Sequence, residues 1–295
     1  MDNIYIIIVT FFPNKSHMVK MKRIFEKCNC SVVIVDNSKN DTEISENNFG
    51  KTKVIKLGDN YGIAVAQNIG IRYAIEHNAD IIGFFDQDSS ISEQLIYRLI
   101  KSLKDQETLI VAPRSIDSLT KEEYPSQIVS RIGIPRDIYT DSKRTRTSVD
   151  IVISSGTFVK TKVFDKVGLF DESFFIDFVD IEWCLRCRRS GIKIWVIRDA
   201  VMEHKIGNKT KKIGKMTINI HSPYRTYYKV RNSLLLLFRG INPLFVFTQI
   251  MPAVIKNFIL IFDKEKGKEY RKYYFQGIFD GIRNRGGKYE KWHEQ

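Results

Sequence analysis

Cysteine, proline and long apolar runs are all scarce in this chain. Four cysteines in 295 residues are too few for a disulfide-stapled scaffold. Seven prolines and 17 glycines exclude collagen-like and low-complexity architectures. No stretch of about 18 uninterrupted apolar residues is present, which disfavours a spanning helix. Ile4 to Phe12 is apolar, but Asp2 precedes it and Pro13-Asn14 ends it. A signal peptide needs a basic start and a longer apolar core, so this segment reads as a buried strand, and a cytoplasmic, reducing location is expected.

What is present is a large apolar complement with an uneven charge. The chain is 43% hydrophobic and 27% charged, which suits one large domain with an appendage. Its net charge is +13. From Val201 to Gln295, 19 Lys and Arg stand against 7 Asp and Glu, so nearly all of the excess lies in the last third. Such a basic surface seeks an anionic partner: nucleic acid, membrane headgroups or a phosphorylated substrate.

The first half alternates strands and helices. Ile4–Val9, Ser31–Val35, Lys53–Leu57, Ile81–Phe85 and Ile110–Ala112 read as strands. Between them, Lys15–Lys27 and Gly62–His77 read as helices, and Ser90 with Glu93 forms a capping-box pattern ahead of Leu95, Leu99 and Leu103. This order predicts right-handed crossovers and a mainly parallel sheet flanked by helices. Pro113 to Val149 reads as a loop-rich insertion, Ile151–Ile153 as a short strand, Asp177–Ser190 as a helix and Ile192–Ile197 as a strand. Lys205–Lys215 is basic and reads as a mobile loop, with helices from Tyr224 onward. The expected division is 1–205 and 206–295.

In an open parallel sheet, ligands gather at the carboxyl ends of the strands. Thr10, Asp36, Asp59-Asn60 and Asp86-Gln87-Asp88 all occupy such ends. Acids collected on one rim repel unless a cation or donor sits among them. Asp86 and Asp88 suit a hard divalent ion such as Mg²⁺ or Mn²⁺, although Asp-x-Asp-Ser-Ser is also good turn chemistry. Gly62 and Asn68 belong to a strand-to-helix turn, Gly58–Gly70, that has neither Walker nor dinucleotide-binding glycine spacing. Tight helix packing explains that turn as well as ligand binding does.

Phe174–Arg186 is an aromatic-rich approach to a helix, with acids at 177, 180 and 182. Asp180 lies among apolar neighbours that favour a proton acceptor, whereas a helix-start acid paired with Arg186 or Arg188 is the bland alternative. His204 follows a strand and is a candidate metal partner, against the commoner structural role of a lone histidine. Cys28/Cys30 and Cys184/Cys187 are poorly spaced for zinc.

These pieces, in this order, resemble family 2 glycosyltransferases of the GT-A fold, and in particular bacterial rhamnosyltransferases that build O-antigen or other cell-wall polysaccharide. The resemblance runs from about Ile4 to Asn232 and is most specific at Ser154-Ser155-Gly156-Thr157, Val167–Glu172 and Phe174–Arg186. It implies that Asp36 pairs with the pyrimidine ring and that Asp86 and Asp88 hold the metal on the donor diphosphate. It further implies that Asp180 is the base, with Asp177 as understudy, and that His204 completes the metal shell. Thr10, Asn60, Gly62 and Asn68 fall within the implied nucleotide-sugar site. The Glu that usually precedes the base is Val179 here. Tyr227–Asn232, with Arg231, resembles the basic segment over the donor phosphates. A dTDP-L-rhamnose donor and an inverting displacement follow from the resemblance.

The basic, aromatic tail suggests helices on an anionic membrane surface near a polyprenyl-diphosphate-linked acceptor. A helical cap or a contact between two copies explains it equally well. A UDP-sugar transferase is the nearest alternative, since uracil and thymine offer the same ring N–H. A basic nucleic-acid-binding protein is the alternative of another class, and it gives no reason for four acids on one rim.

Overall fold

The computed structural model describes residues 2–39, 42, 44, 52–204, 209–213, 216–220, 222–260 and 266–290, with side chains for all of these except 204, 209–213, 216–220, 253 and 255–260. The core is an eight-stranded sheet in the order β3-β2-β1-β4-β9-β5-β10-β8. Its first four members are parallel: β1 (Ile4–Thr10), β2 (Ser31–Asp36), β3 (Lys53–Lys56) and β4 (Ile81–Asp86). Ile6, Ile7 and Ile8 of β1 are essentially inaccessible, as the uninterrupted apolar run predicts for a central strand. Helices α1 (Lys15–Lys27), α2 (Ile63–Glu76) and α3 (Glu93–Ser102) supply the crossovers.

The second half of the sheet departs from the simple alternation. β5 (Ile110–Asp117) and β10 (Ile194–His204) are parallel to each other. β9 (Phe158–Lys160) runs antiparallel between β4 and β5, and β8 (Arg146–Val149) is an antiparallel edge on β10. Pro113–Val149 is therefore not one loop: it contains the end of β5, then β6 (Ser126–Val129), β7 (Pro135–Ile138) and β8. Ile151 forms only an isolated bridge with Gln127, so the expected strand there is replaced by β9. α4 (Lys162–Val167) and α5 (Val179–Arg189) follow. The cap of α3 is Ser92, whose hydroxyl accepts from the Leu95 amide, and not Ser90. Within the basic segment after β10, β11 (Lys209–Ile213) and β12 (Met216–Ile220) pair as an antiparallel ladder where a loop was expected.

The chain divides into two compact units. The first holds Met1–Ile128, Asp137–Asp171 and Asp180–Lys205; the second holds Val129–Arg136, Glu172–Val179 and Ile206–Gln295. The second is built on α6 (Pro223–Phe238), α7 (Pro243–Leu260) and α8 (Gly267–Ile282). Two short segments from earlier in the sequence thus join the C-terminal helices, which a single boundary near Lys205 does not convey.

Candidate active site

The parallel register sets the rim. Thr10 lies opposite Asp36 across β1 and β2, while Val9 lies opposite Asp86 across β1 and β4. Asp36 and Asp86 therefore flank the carboxyl end of β1. The Asp36 side chain is almost fully buried. Its Oδ1 accepts from Thr10 Oγ1 at 3.1 Å, Ser38 N at 3.2 Å and Ser38 Oγ at 2.6 Å. Its Oδ2 accepts from the Thr42 hydroxyl. Among the described residues the crowding is on Oδ1, and Oδ2, with one donor, keeps lone-pair capacity for another.

Asn37 joins this strand end to the next loop. Its Nδ2 donates to Asn60 Oδ1 at 3.0 Å and to the Gly62 carbonyl at 3.1 Å, and its Oδ1 accepts from Tyr61 N at 2.8 Å. Asn60 Oδ1 also accepts from Gly62 N, so the expected ligand residue acts here as an internal brace of the turn. Gly62 has φ 91° and caps α2 without a side-chain partner. Only glycine takes that backbone at little cost.

Asn68 departs from its expected role. It is buried, donates to the Phe170 carbonyl at 2.9 Å and accepts from the Phe170 amide at 3.0 Å. A carboxamide closed on a backbone unit in this way fixes the Phe170 segment. Its neighbour Gln67 is also buried: Nε2 donates to Ser154 Oγ at 3.3 Å, and Oε1 has no partner among the described residues.

The Asp86-Gln87-Asp88 loop is tied on both sides. The Asp86 amide donates to Ser89 Oγ at 3.1 Å and Ser155 Oγ at 3.2 Å, and the two hydroxyls lie 2.8 Å apart. Gln87 exchanges two hydrogen bonds with the Phe11 backbone. Asp86 is half-buried and Asp88 exposed, so both carboxylates sit at a solvent-facing strand end. Ser90 bridges Glu203 on β10, which brings the backbone of His204 beside the same loop. The His204 side chain lies outside the described residues. Among the described residues no three His, Cys, Asp or Glu side chains gather as a metal cage. The two carboxylates offer the hard oxygen donors that Mg²⁺ or Mn²⁺ prefers, and such ions keep several waters, so the pair fits a divalent ion without a full protein cage.

Asp180 is the second residue of α5 and is half-buried. With Ser154, Thr157, Phe84, Phe170 and Trp183 it lines a small recess. Ser155 bonds the Asp86 amide and adjacent Ser154 lines this recess, so the Asp86 and Asp180 regions are linked through one run of the first unit. Arg186 is bound by Glu182, with 2.7 and 2.8 Å contacts, and Arg188 pairs with Asp150 at 3.2 Å. The arginines proposed as partners of Asp180 thus have other acids. Glu182 is buried in its pair, and Asp177 is held by Arg225 at 2.8–3.3 Å. Neither is placed as a base.

The cysteines form no ligand set among the described residues. Burial pushes the thiols of Cys30 and Cys187 up to about 12, and that of Cys184 well above the ordinary thiol value.

Arg231, expected on the donor phosphates, is fully buried in the second unit. Its guanidinium donates to the Gly287 carbonyl at 2.6 Å, the Ser173 carbonyl at 3.2 Å and Asn232 Oδ1 at 2.9 Å. Its rings of contact are Tyr227 and Tyr228, at 5.2 and 4.9 Å. This cation is thus satisfied by carbonyl oxygens and aromatic faces within the helices and not held out for a phosphate.

A strand-end carboxylate array of this kind agrees with what comparison of the whole chain shows. The profile of glycosyl transferase family 2 matches residues 18–168. The chain belongs to this family. It is a glycosyltransferase with a GT-A fold. It is 40% identical over 292 residues to dTDP-rhamnosyl transferase RfbF of Shigella flexneri, covering 98% of this chain and 99% of the relative. It is 24% identical to the low-salt glycan biosynthesis hexosyltransferase Agl10 of Haloferax volcanii, covering 99% and 94%. Among solved structures, S. aureus TarS 1–349 in complex with UDP-GlcNAc matches with a TM-score of 0.59 and 16% identity, over 96% of this chain and 81% of that one. GalNAc-T7 with UDP, GalNAc and Mn²⁺ matches with a TM-score of 0.58 and 12% identity, over 96% and 56%. These two likenesses concern the fold.

Proposed function

We propose that this glycosyltransferase moves L-rhamnose from dTDP-L-rhamnose to a saccharide acceptor, with inversion, in O-antigen or cell-wall polysaccharide synthesis. The full-length 40% identity to a dTDP-rhamnosyl transferase carries the choice of donor. The rim geometry supports the division of work. Asp36, oriented by Thr10 and Ser38, pairs with the thymine ring N–H through Oδ2. Asp86 and Asp88, with His204, would hold Mg²⁺ or Mn²⁺ on the donor diphosphate. The ion, when bound, stabilises the negative charge of the departing nucleotide. Asp180 takes the proton from an acceptor hydroxyl as its oxygen attacks the anomeric carbon from the face opposite the leaving group. One displacement inverts that centre.

The UDP reading stays in the test because Asp36 pairs equally with uracil and because UDP compounds accompany both structural neighbours. Purified protein is incubated with dTDP-, UDP- and GDP-sugars and Mg²⁺ or Mn²⁺, and donor hydrolysis and melting shifts are measured. Turnover of dTDP-L-rhamnose ahead of all UDP-sugars is expected; the reverse order removes the proposal. Asp180→Asn is expected to abolish transfer while leaving donor binding within a few-fold. Near-normal turnover would take Asp180 out of the role of base.

The acceptor is proposed to be polyprenyl-diphosphate-linked, and the second unit to rest on an anionic membrane surface. Among the described residues, no helix is long and apolar enough to cross a membrane. One stripe of α8 supports surface binding: Phe275, Phe279 and Ile282 are 47–63% exposed, with Lys268, Lys272 and Arg283 beside them.

A further inference from the structure

The chain just before α5 holds two adjacent non-glycine residues in the left-handed region, Asp177 at φ 62° and Phe178 at φ 67°. Phe12 and Lys121 are single residues in this region, and Asn29, Asn78 and Asn284 are asparagines directly after a helix cap, where it is ordinary; Asp177-Phe178 is the adjacent pair among the described residues. Asp177-Phe178 has no such excuse: a bulky aromatic is disfavoured there, and two in succession require outside support.

That support is a single buried side chain. Asn232, on α6, is inaccessible to solvent. Its Nδ2 donates to the Ile176 carbonyl at 2.7 Å and to the Asp177 carbonyl at 2.9 Å. Its Oδ1 accepts from Arg231 Nε, whose other donors bind the carbonyls of Gly287 and Ser173. The amide is thus oriented at one end and spans the strained peptide at the other. Arg225, one face along α6, grips the Asp177 carboxylate. The turn leads without a break into α5, whose second residue is Asp180.

We propose that Asn232 is a positioning residue: it locks the strained Ile176–Phe178 turn that launches α5 and so fixes the backbone carrying Asp180. The Tyr227–Asn232 motif then serves transfer by holding this turn and not by touching phosphate. The proposal rests on Asp180 being the base. Strain retained at an active-site approach is consistent with it, because the same turn built from glycine would not need a clamp.

The test uses the full chain and steady-state transfer with the best donor of the panel above. Asn232→Ala is expected to lower kcat at least tenfold with donor KM within about twofold. Adding Phe178→Gly, which removes the backbone penalty at the second strained residue, is expected to recover a substantial part of the lost kcat. Asn232→Asp keeps the shape without the two N–H donors and serves if the alanine variant does not fold; the same loss of kcat is expected. Full kcat in the single variant, or no recovery in the double variant, would overturn the clamp. Hydrogen exchange separates this failure from failure of the rhamnosyl reading. Amides 178–181 are expected to exchange at least tenfold faster in the Asn232 variant whatever the donor proves to be, and unchanged protection there rejects the proposal.

Discussion

Asp36 shows how hydrogen bonds on one oxygen leave the other for a ligand. Among the described residues, three donors fall on Oδ1, while Oδ2 has only the Thr42 hydroxyl. On the proposed pairing of Asp36 with thymine, Asp36→Asn keeps the size but turns an N–H₂ toward the ring N–H if its oxygen stays with the three donors. Two donors then face each other. A loss of tenfold or more in dTDP affinity is expected, about 1.4 kcal/mol, measured by calorimetry. An unchanged Kd would remove the ring contact. The thiols make a second prediction at this scale. A thiol raised to about 12, as Cys30 and Cys187 are, is ionised at pH 8 to roughly one part in ten thousand. Iodoacetamide on the native protein should therefore label half-exposed Cys28 first, as mass spectrometry can read, and rapid labelling of the other three would contradict their burial. The strand-end positions of Asp36 and Asp86 were legible in the sequence because each closes an apolar strand. Arg231 was not, because a basic residue in an aromatic motif looks the same whether its guanidinium meets phosphate or buried carbonyls.

At the scale of elements, β9 and the turn before it decide the site. Gly156 sits at φ 82°, donates its amide to the Phe84 carbonyl at 2.7 Å, and leaves Ser155 bonded to the Asp86 amide. A Cβ there would come within 2.6 Å of Pro113 Cγ. Gly156→Val adds backbone strain of about 1–3 kcal/mol and a clash, and it displaces Ser155 from Asp86. A lower Tm is expected and, on the proposed metal role of Asp86, a raised metal requirement for transfer. An unchanged metal titration would separate this turn from the Asp86 loop. β9 escaped the sequence reading for a physical reason: three residues carry too little periodicity, and their antiparallel insertion between parallel strands is set by partners far along the chain. The Asn68–Phe170 pair, 102 residues apart, is hidden for the same reason. The parallel half of the sheet was legible because each strand there is a continuous apolar run ended by a polar residue.

Across the whole molecule, the basic excess shares the last third of the chain with one group of exposed aromatics, Tyr224, Phe238, Phe247, Phe275 and Phe279. The charge of the last third was plain in the composition; which faces the helices turn outward was not, because that depends on how they pack. Gly277 and Gly281 lie on the buried face of α8, against Tyr227, Val230 and Leu234 of α6, which commits Phe275, Phe279 and Ile282 to the outside. Arg283 stacks 3.3 Å from the Phe279 ring, so the stripe alternates cation and aromatic at its C-terminal end. Such a surface combines shallow apolar insertion with attraction to anionic headgroups, worth about 1 kcal/mol per Lys or Arg near the surface. The electrostatic part is screened over about 10 Å at 0.1 M salt. Flotation should therefore recover the protein on vesicles of mixed anionic and neutral lipid at low salt, less at 0.5 M salt, and little on purely neutral vesicles. Phe275→Ser with Phe279→Ser should lower recovery on anionic vesicles severalfold while the salt dependence remains, since the charges are untouched. Recovery equal on neutral and anionic vesicles would argue against a charge-steered surface, and no recovery at low salt would leave α8 as a cap or a contact between two copies.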